Sequence, residues 1–390
     1  MMYPFILPDY KGNSIVNLMS SISNSFGKKH KYKQLKSMNS KELKDHKNIV
    51  FIVVDGMGYN YLIKQKHSFL YQNLKSKMTS CFLSTTASAN TSFLVGYPAQ
   101  QHALTAWDVN LKEIGAITTV LPFVPMYGGD PLEYSGFEIT DILDIPRLHK
   151  GFKGKSYLFI DKIIADSCFT TYVGGFMDIV PTSSYNNAFT KLKKFIKKRS
   201  TKRRYFHIYI DSLDSKAHRE GIFSKEVKEI FEDIDQKVKS LAKSLKGTNT
   251  KIIITADHGQ LESNPKNILR VENIKGLKEC LTIPLAGEER VRDCFVRPSK
   301  VKQFESIMKR LSKYCWCYKG EQLIKDNFYG LGKANPKLYD RVGDYVVIMK
   351  DKYRLKDWLA NSDRTKKPFK GVHGGVSSDE MYVPLITVDC

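Results

Sequence analysis

Three short apolar runs, each ending in an aspartate, set the tightest limit on how this chain folds. Phe51 to Gly58 reads FIVVDGMG, Tyr205 to His218 reads YFHIYIDSLDSKAH, and Lys251 to Gly259 reads KIIITADHG. Runs of Val, Ile and aromatic residues that stop at a turn signal are strands buried on both faces, the habit of a parallel sheet. Side chains at the carboxyl ends of such strands gather along one edge, where open α/β sheets hold their ligands. A single Asp-Gly after a strand is an ordinary turn. The pattern recurs in distant segments, and His373 stands between glycines in GVHGG just ahead of the apolar MYVPLITV. That recurrence points to one shared site.

The 390 residues, 42% hydrophobic and 12% aromatic, can bury a large core, which excludes a disordered chain. Strand-like and helix-like segments alternate from residue 48 to 258. Strands are predicted at NIVFIVV, MTSCFL, KSYLFI, FTTYV, YFHIYI and KIIIT, with helices over 58–76, from Thr86, and over 224–245. The Pro- and Gly-rich stretch 105–150 reads as long loops near the site. Between Gly259 and His373 the strand-like DCFVRP and DYVVIMK flank a helix at SKVKQFESIMKRLSK, forming a compact α+β unit. The expected fold class is therefore α/β, a central, mostly parallel sheet flanked by helices. Residues 1–270 and 366–390 form the catalytic core, and residues 271–365 form an inserted cap over the carboxyl edge of the sheet.

Sixty-two Lys and Arg against 40 Asp and Glu give a net charge of +22, a field that concentrates anions such as nucleotides, nucleic acid or phosphorylated metabolites. The densest run, Lys191 to Arg204, carries Leu192, Phe195 and Ile196 at helical spacing and reads first as the solvated face of a helix. A polyanion-docking patch is the second reading, so the charge admits nucleic acid as a partner. Seven cysteines without pattern read as ordinary thiols rather than a disulfide framework or a zinc ribbon. No apolar run reaches the roughly 18 to 20 residues of a membrane span. The N-terminal segment lacks a basic n-region and a long apolar h-region, so a cytoplasmic location is expected.

Asp55, Asp214, His218, Asp257, His258 and His373 supply three carboxylates and three imidazoles. Zinc prefers such a set, with manganese as the alternative, and six donors are enough for two ions. Two cations about 4 Å apart stabilise the attacking and leaving oxygens of an in-line displacement at phosphorus. The nucleophile is expected in LSTTASANTSFLVGYP, Leu83 to Pro98, where hydroxyls open a helix. A helix N-terminus and a nearby cation both favour an alkoxide, and Ser84, Thr85, Thr86 and Ser88 all meet that description.

The ordered set VVDGMG, LSTTASANTSFLVGYPAQQHALTAW, IDSLDSKAH, TADHG and VHGG resembles the alkaline phosphatase superfamily, most closely its type I phosphodiesterase/nucleotide pyrophosphatase branch. The resemblance runs from residue 48 to the last residues of the chain and implies an alkaline-phosphatase-like sheet with two zinc ions. It assigns Asp214, His218 and His373 to one ion, and Asp55, Asp257 and His258, with Thr86, to the other. Aligned on Gly96 and His102, it makes Thr86 the nucleophile, while Asp211 matches no ligand position and is left as a supporting or solvent-facing acid. The Asn that holds phosphate in the family falls at Trp107, whose indole N–H is a substitute donor, and Asn90 is a second candidate for substrate binding. The implied activity is a two-metal phosphodiesterase or nucleotide pyrophosphatase acting through a phosphothreonine on an anionic phosphate-containing substrate, a nucleotide. No Arg or Lys adjoins the Thr86 or Asp55 motif, which tilts the reading towards diesters. A phosphomonoesterase or phosphonate hydrolase of the same superfamily is the alternative. From a different class comes a basic nucleic-acid-binding protein with a vestigial site.

Overall fold

The computed structural model describes residues 3–145, 147–357 and 368–390. At its centre lies strand β1 (Asn48–Val54), whose seven residues are all buried. It pairs in parallel with β8 (Arg204–Ile210) on one side and β9 (Thr250–Thr255) on the other. The three Asp-terminated runs are therefore neighbouring strands whose carboxyl ends share an edge. Strands β6 (Lys155–Asp161) and β7 (Asp178–Thr182) extend the sheet in parallel beyond β8. Beyond β9 comes β18 (Tyr382–Asp389), antiparallel to β9 and to the edge strand β2 (Leu74–Thr79). Because β18 runs the other way, the loop that precedes it, with His373, lands at the same edge as Asp55 and Asp257. The sheet order is β2–β18–β9–β1–β8–β6–β7.

A second sheet of seven strands stands beside the first. It combines β3 (Asp108–Leu111), β4 (Ala116–Thr119) and β5 (Val124–Pro125) with β12 (Ala286–Glu288), β13 (Val291–Cys294), β14 (Cys315–Lys319) and β15 (Tyr345–Met349). The order is β14–β15–β13–β12–β3–β4–β5, and β12 meets β3 at Gly287 and Asp108. Alternation along β15 gives this sheet two cores. Val346 and Ile348 join the large core, while Tyr345, Val347 and Met349 pack with Phe304, Ile307 and Met308 from the Val301–Arg310 helix. Two ladders complete the fold: β10 (Leu261–Glu262) antiparallel to β17 (Gly371–Val372), and β11 (Ile268–Arg270) parallel to β16 (Arg354–Lys356). The expected cap boundary at 365/366 lies outside the described residues.

Three local expectations are corrected. The 105–150 stretch is not all loop, because DVNL and AITT form the β3–β4 hairpin, with Val109, Leu111 and Ile117 buried. FTTYV is helical within Cys168–Val173: Ser167 caps the turn by accepting from the Thr170 N–H at 3.3 Å, and the cap overrides the β-branched residues. The helix expected over 58–76 is two single turns, Tyr59–Leu62 and Phe69–Gln72, and the following strand begins at Leu74 rather than at MTSCFL. LKSKMT alternates outward and buried positions, with lysines outward, as an edge strand does.

Burial keeps three imidazoles neutral well below their ordinary value of 6.5. His207 is held down to about 3, His102 to about 3 with Arg341 adding to the effect, and His30 to about 4. The unfolded chain takes up protons below 6.5 that the folded chain refuses, so this stability is complete above 6.5 and is lost as pH falls. Denaturant unfolding is expected to show stability declining from pH 6.5 towards 4, by about 1.4 kcal/mol per pH unit for each imidazole. His207→Phe should flatten that slope by one imidazole's share, and an unchanged slope would contradict the assignment.

Candidate active site

Each site segment begins where a strand runs out. Asp55 directly follows β1, with its N–H bonded to the Ile210 carbonyl of β8 at 2.9 Å. Asp257 and His258 follow β9 after a single residue, Ala256. Asp214 and His218 stand one turn apart on the Ser212–Glu220 helix that leaves β8, and so face the same way. His373 follows β17, whose pairing with β10 draws it alongside the His258 segment. The result is two triads, Asp214, His218 and His373, and Asp55, Asp257 and His258. Within each, the candidate ligand atoms lie within 4.8 Å of one another. His258 and His373 stack with centroids 3.8 Å apart, so the triads adjoin.

Gly56 links the triads physically. Its φ is +72°, its N–H donates to Asp257 Oδ1 at 3.2 Å, and a Cβ there would lie 3.0 Å from Asp214 Oδ1. Only glycine takes this backbone at low cost and leaves room for the Asp214 carboxylate.

Thr86 opens the Thr86–Val95 helix, with Thr85 as the extended residue before it. Its Oγ1 lies 3.2 Å from His258 Nε2 and 3.5 Å from Asp55 Oδ2. Of the four hydroxyls left open by composition, the others turn elsewhere. Ser84 Oγ donates to the Gly375 carbonyl at 2.7 Å, Thr85 Oγ1 to Glu288 Oε1 at 2.6 Å, and Ser88 Oγ meets Cys81 Sγ at 3.4 Å. Asn90, one turn further on, donates to Asp257 Oδ2 at 3.3 Å. Trp107 is partly exposed, and its backbone N–H donates to Glu288 Oε1 at 3.0 Å. Asp211 is exposed and belongs to neither triad, and His102 is sealed in the core, its Nε2 3.2 Å from Ser92 Oγ.

The donors are aimed for metal binding. His218 Nδ1 is 2.8 Å from the Gly371 carbonyl and His258 Nδ1 is 3.1 Å from the Gly259 carbonyl. A ring nitrogen beside a carbonyl carries the proton, which leaves Nε2 of both rings as a free lone pair. Asp55 Oδ1 and His373 Nδ1 are buried without a hydrogen-bond partner. Burial, then Asp214 and Asp257, push the Asp55 carboxyl well above its ordinary range. Burial also acts on Asp214, yet His218, His373 and His258 outweigh it and hold that carboxyl down. Three crowded carboxylates set against three imidazoles form a site short of positive charge, and the residues fit a pair of divalent cations.

Sequence reasoning missed several supporting groups. The Tyr209 hydroxyl donates to Asp55 Oδ2, and burial with the neighbouring carboxylates keeps that phenol protonated. The Gln260 amide donates to Asp214 Oδ1. Phe369 lies on His218 with centroids 4.5 Å apart. A polar residue one place before a strand end, as Tyr209 is, and a Gln directly after ADHG were the available signals. Glu288 gave none, because it comes from the distant second sheet.

Sheet order, an Asp and His cluster at the sheet edge and a helix-opening hydroxyl accord with the fold of the alkaline phosphatase superfamily. The sequence model of the type I phosphodiesterase / nucleotide pyrophosphatase family matches residues 49–375, and the chain belongs to that family, a family of metal-dependent phosphoric ester hydrolases. Among solved structures, murine ectonucleotide pyrophosphatase/phosphodiesterase 5 is similar with a TM-score of 0.65 at 17% identity, over 86% of this chain and 87% of that one. An inactive variant of it in complex with AMP matches at 16% identity over the same shares, also with a TM-score of 0.65. Phosphonoacetate hydrolase from Sinorhizobium meliloti 1021, in complex with phosphonoformate, gives 0.61 at 14% identity, over 87% of this chain and 89% of that one. At these identities the likeness is one of fold. Comparison with curated protein sequences gave no significant match.

Gly259 offers a direct test of how tightly the ligand segments are packed. A Cβ there would lie 2.0 Å from the Asp379 carbonyl oxygen and 2.8 Å from Gly58 Cα. Gly259→Ala is expected to destabilise the protein by about 1–3 kcal/mol or more and to displace His258. Thermal unfolding and divalent-metal content by elemental analysis check this, and a variant matching the parent in both would refute the close packing.

Proposed function

We propose that this chain is a two-metal phosphodiesterase or nucleotide pyrophosphatase that works through a phosphothreonine at Thr86. One observation carries the proposal: Thr86 Oγ1 stands 3.2 Å from His258 Nε2 at the mouth of two adjoining Asp/His triads. Asp214, His218 and His373 would hold one ion, and Asp55, Asp257 and His258, with Thr86, the other. Zinc suits this oxygen and nitrogen set best, with manganese the alternative. Bound ions supply the positive charge that favours an ionised hydroxyl and offsets charge on the phosphate.

The chain's own groups then have definite tasks. Thr86 Oγ1 attacks phosphorus and the bond to the leaving oxygen breaks, giving the phosphothreonine and a free alcohol or nucleotide. Water attacks the same phosphorus in a second displacement and regenerates Thr86. Covalent catalysis of this kind divides one hard step into two easier ones. Tyr209 and Gln260 hold the Asp55 and Asp214 carboxylates in place. Asn90 and Trp107 are the substrate-contacting candidates, Asn90 bonded to Asp257 Oδ2 and Trp107 held through its backbone N–H by Glu288.

The substrate is an anionic phosphate ester, with a nucleotide preferred because a related fold binds AMP. A phosphomonoesterase or phosphonate hydrolase is the second reading, the latter favoured by the likeness of fold to phosphonoacetate hydrolase. Seven free cysteines accord with a reducing, cytoplasmic location. Among the described residues no helix is long and apolar enough to cross a membrane.

Relative kcat/KM on bis-p-nitrophenyl phosphate, p-nitrophenyl phosphate and an aryl phosphonate ester separates these readings, and faster monoester turnover would overturn the diester assignment. Thr86→Ala is expected to lose at least about a thousandfold in turnover, as loss of a covalent nucleophile does. It should retain close to two metal ions per chain by elemental analysis. Should Thr85→Ala behave this way instead, the nucleophile is misassigned.

A further inference from the structure

Glu288 is a carboxylate that reaches the site from the second sheet. It ends β12 at the β12–β13 turn, where Glu288 pairs with Val291. Its Oε1 accepts from Thr85 Oγ1 at 2.6 Å and from the Trp107 N–H at 3.0 Å. Its stem lies against the backbone after His373, since a Cβ on Gly374 would sit 2.7 Å from Glu288 Cβ. One side chain thus touches the residue before Thr86, the Trp107 loop and the residue after His373. Its charge also reaches His218, whose pKa it helps to raise after burial and Asp214 have acted.

The charges around Glu288 leave its carboxylate poorly neutralised. Burial, helped by Asp108, pushes its carboxyl up to about 7 against the Thr85 and Trp107 hydrogen bonds and Arg292, which act the other way. Among the described residues no Lys or Arg meets the candidate catalytic carboxylates, whose cationic neighbours are imidazoles alone, with His218 Nε2 3.1 Å from Asp214 Oδ2 and His258 Nε2 3.3 Å from Asp55 Oδ1. Asp55 is met by Tyr209 and Thr86, Asp214 by Gln260, and Asp257 by backbone N–H groups and Asn90.

Resting on the proposed phosphoric ester reading, we infer that Glu288 is a specificity-determining residue that sets the charge of the accepted phosphate. A diester carries one negative charge and a monoester near neutrality carries two. A carboxylate bonded to the residue before Thr86, ionised above about pH 7, repels the second charge, so in that range monoanionic diesters are retained and dianionic monoesters are disfavoured. The same residue is a positioning residue for Thr86, because its Oε1 pins Thr85 and the Trp107 amide together.

Glu288→Gln removes the charge and keeps an acceptor for both donors, whereas Glu288→Ala removes both. In each variant kcat/KM for p-nitrophenyl phosphate should rise relative to bis-p-nitrophenyl phosphate by about tenfold, the effect of one nearby unit charge in a partly screened site. Only Glu288→Ala should also lose kcat on both esters. Calorimetry with inorganic phosphate and with dimethyl phosphate gives a readout independent of turnover. In the metal-loaded Thr86→Ala background, adding Glu288→Gln should tighten inorganic phosphate and leave dimethyl phosphate unchanged. A monoester-to-diester ratio and a phosphate affinity both within twofold of the parent would overturn the inference. The ratio is read in both variants, so failure of one to fold leaves the other. If the parent hydrolyses neither ester, the enzymatic reading fails by itself, and calorimetry still decides the role of Glu288.

Discussion

Like-charge crowding at one sheet edge governs this molecule. Asp55, Asp214 and Asp257 are each nearly or fully buried, and burial, then Asp214 and Asp257, raise the cost of ionising Asp55. Such an arrangement persists in a folded protein only if something positive sits among the carboxylates. The three imidazoles supply part of that, His258 Nε2 standing 3.3 Å from Asp55 Oδ1, and His373 Nδ1 is buried without a hydrogen-bond partner. Every other feature of the site follows from managing this charge: the aimed Nε2 lone pairs, the phenol on Asp55, the amide on Asp214 and the glycines that let backbones approach.

Much of this was legible in the sequence because strand chemistry and site chemistry share residues. A buried parallel strand announces itself as a run of Val and Ile, and a carboxylate at its end has few structural reasons to be there. Asp55, Asp257 and His258 could therefore be read directly, and Asp214 with His218 from their helical spacing. The choice of Thr86 over Thr85, Ser84 and Ser88 could not be read from composition. It rested on a resemblance, and the geometry distinguishes the four by where each hydroxyl points.

What the sequence hid was mostly long-range. Glu288 belongs to a strand with no local mark of chemistry, and it reaches Thr85 only because β12 pairs with β3 across a sheet assembled from segments far apart. The β3–β4 hairpin was itself obscured by the prolines and glycines that follow it. FTTYV failed for the opposite reason, since a single capping serine outweighs five residues that favour strands.

The position of β18 has a consequence for how the enzyme matures. This strand, among the last residues of the chain, is not added at the margin of the sheet but lies inside it, between β2 and β9. A ribosome delivers β2 and β9 long before β18, so the two must wait with a gap between them. His373, just ahead of β18, arrives equally late. A nascent chain therefore cannot close the Asp214, His218 and His373 triad until the segment that carries β18 has emerged.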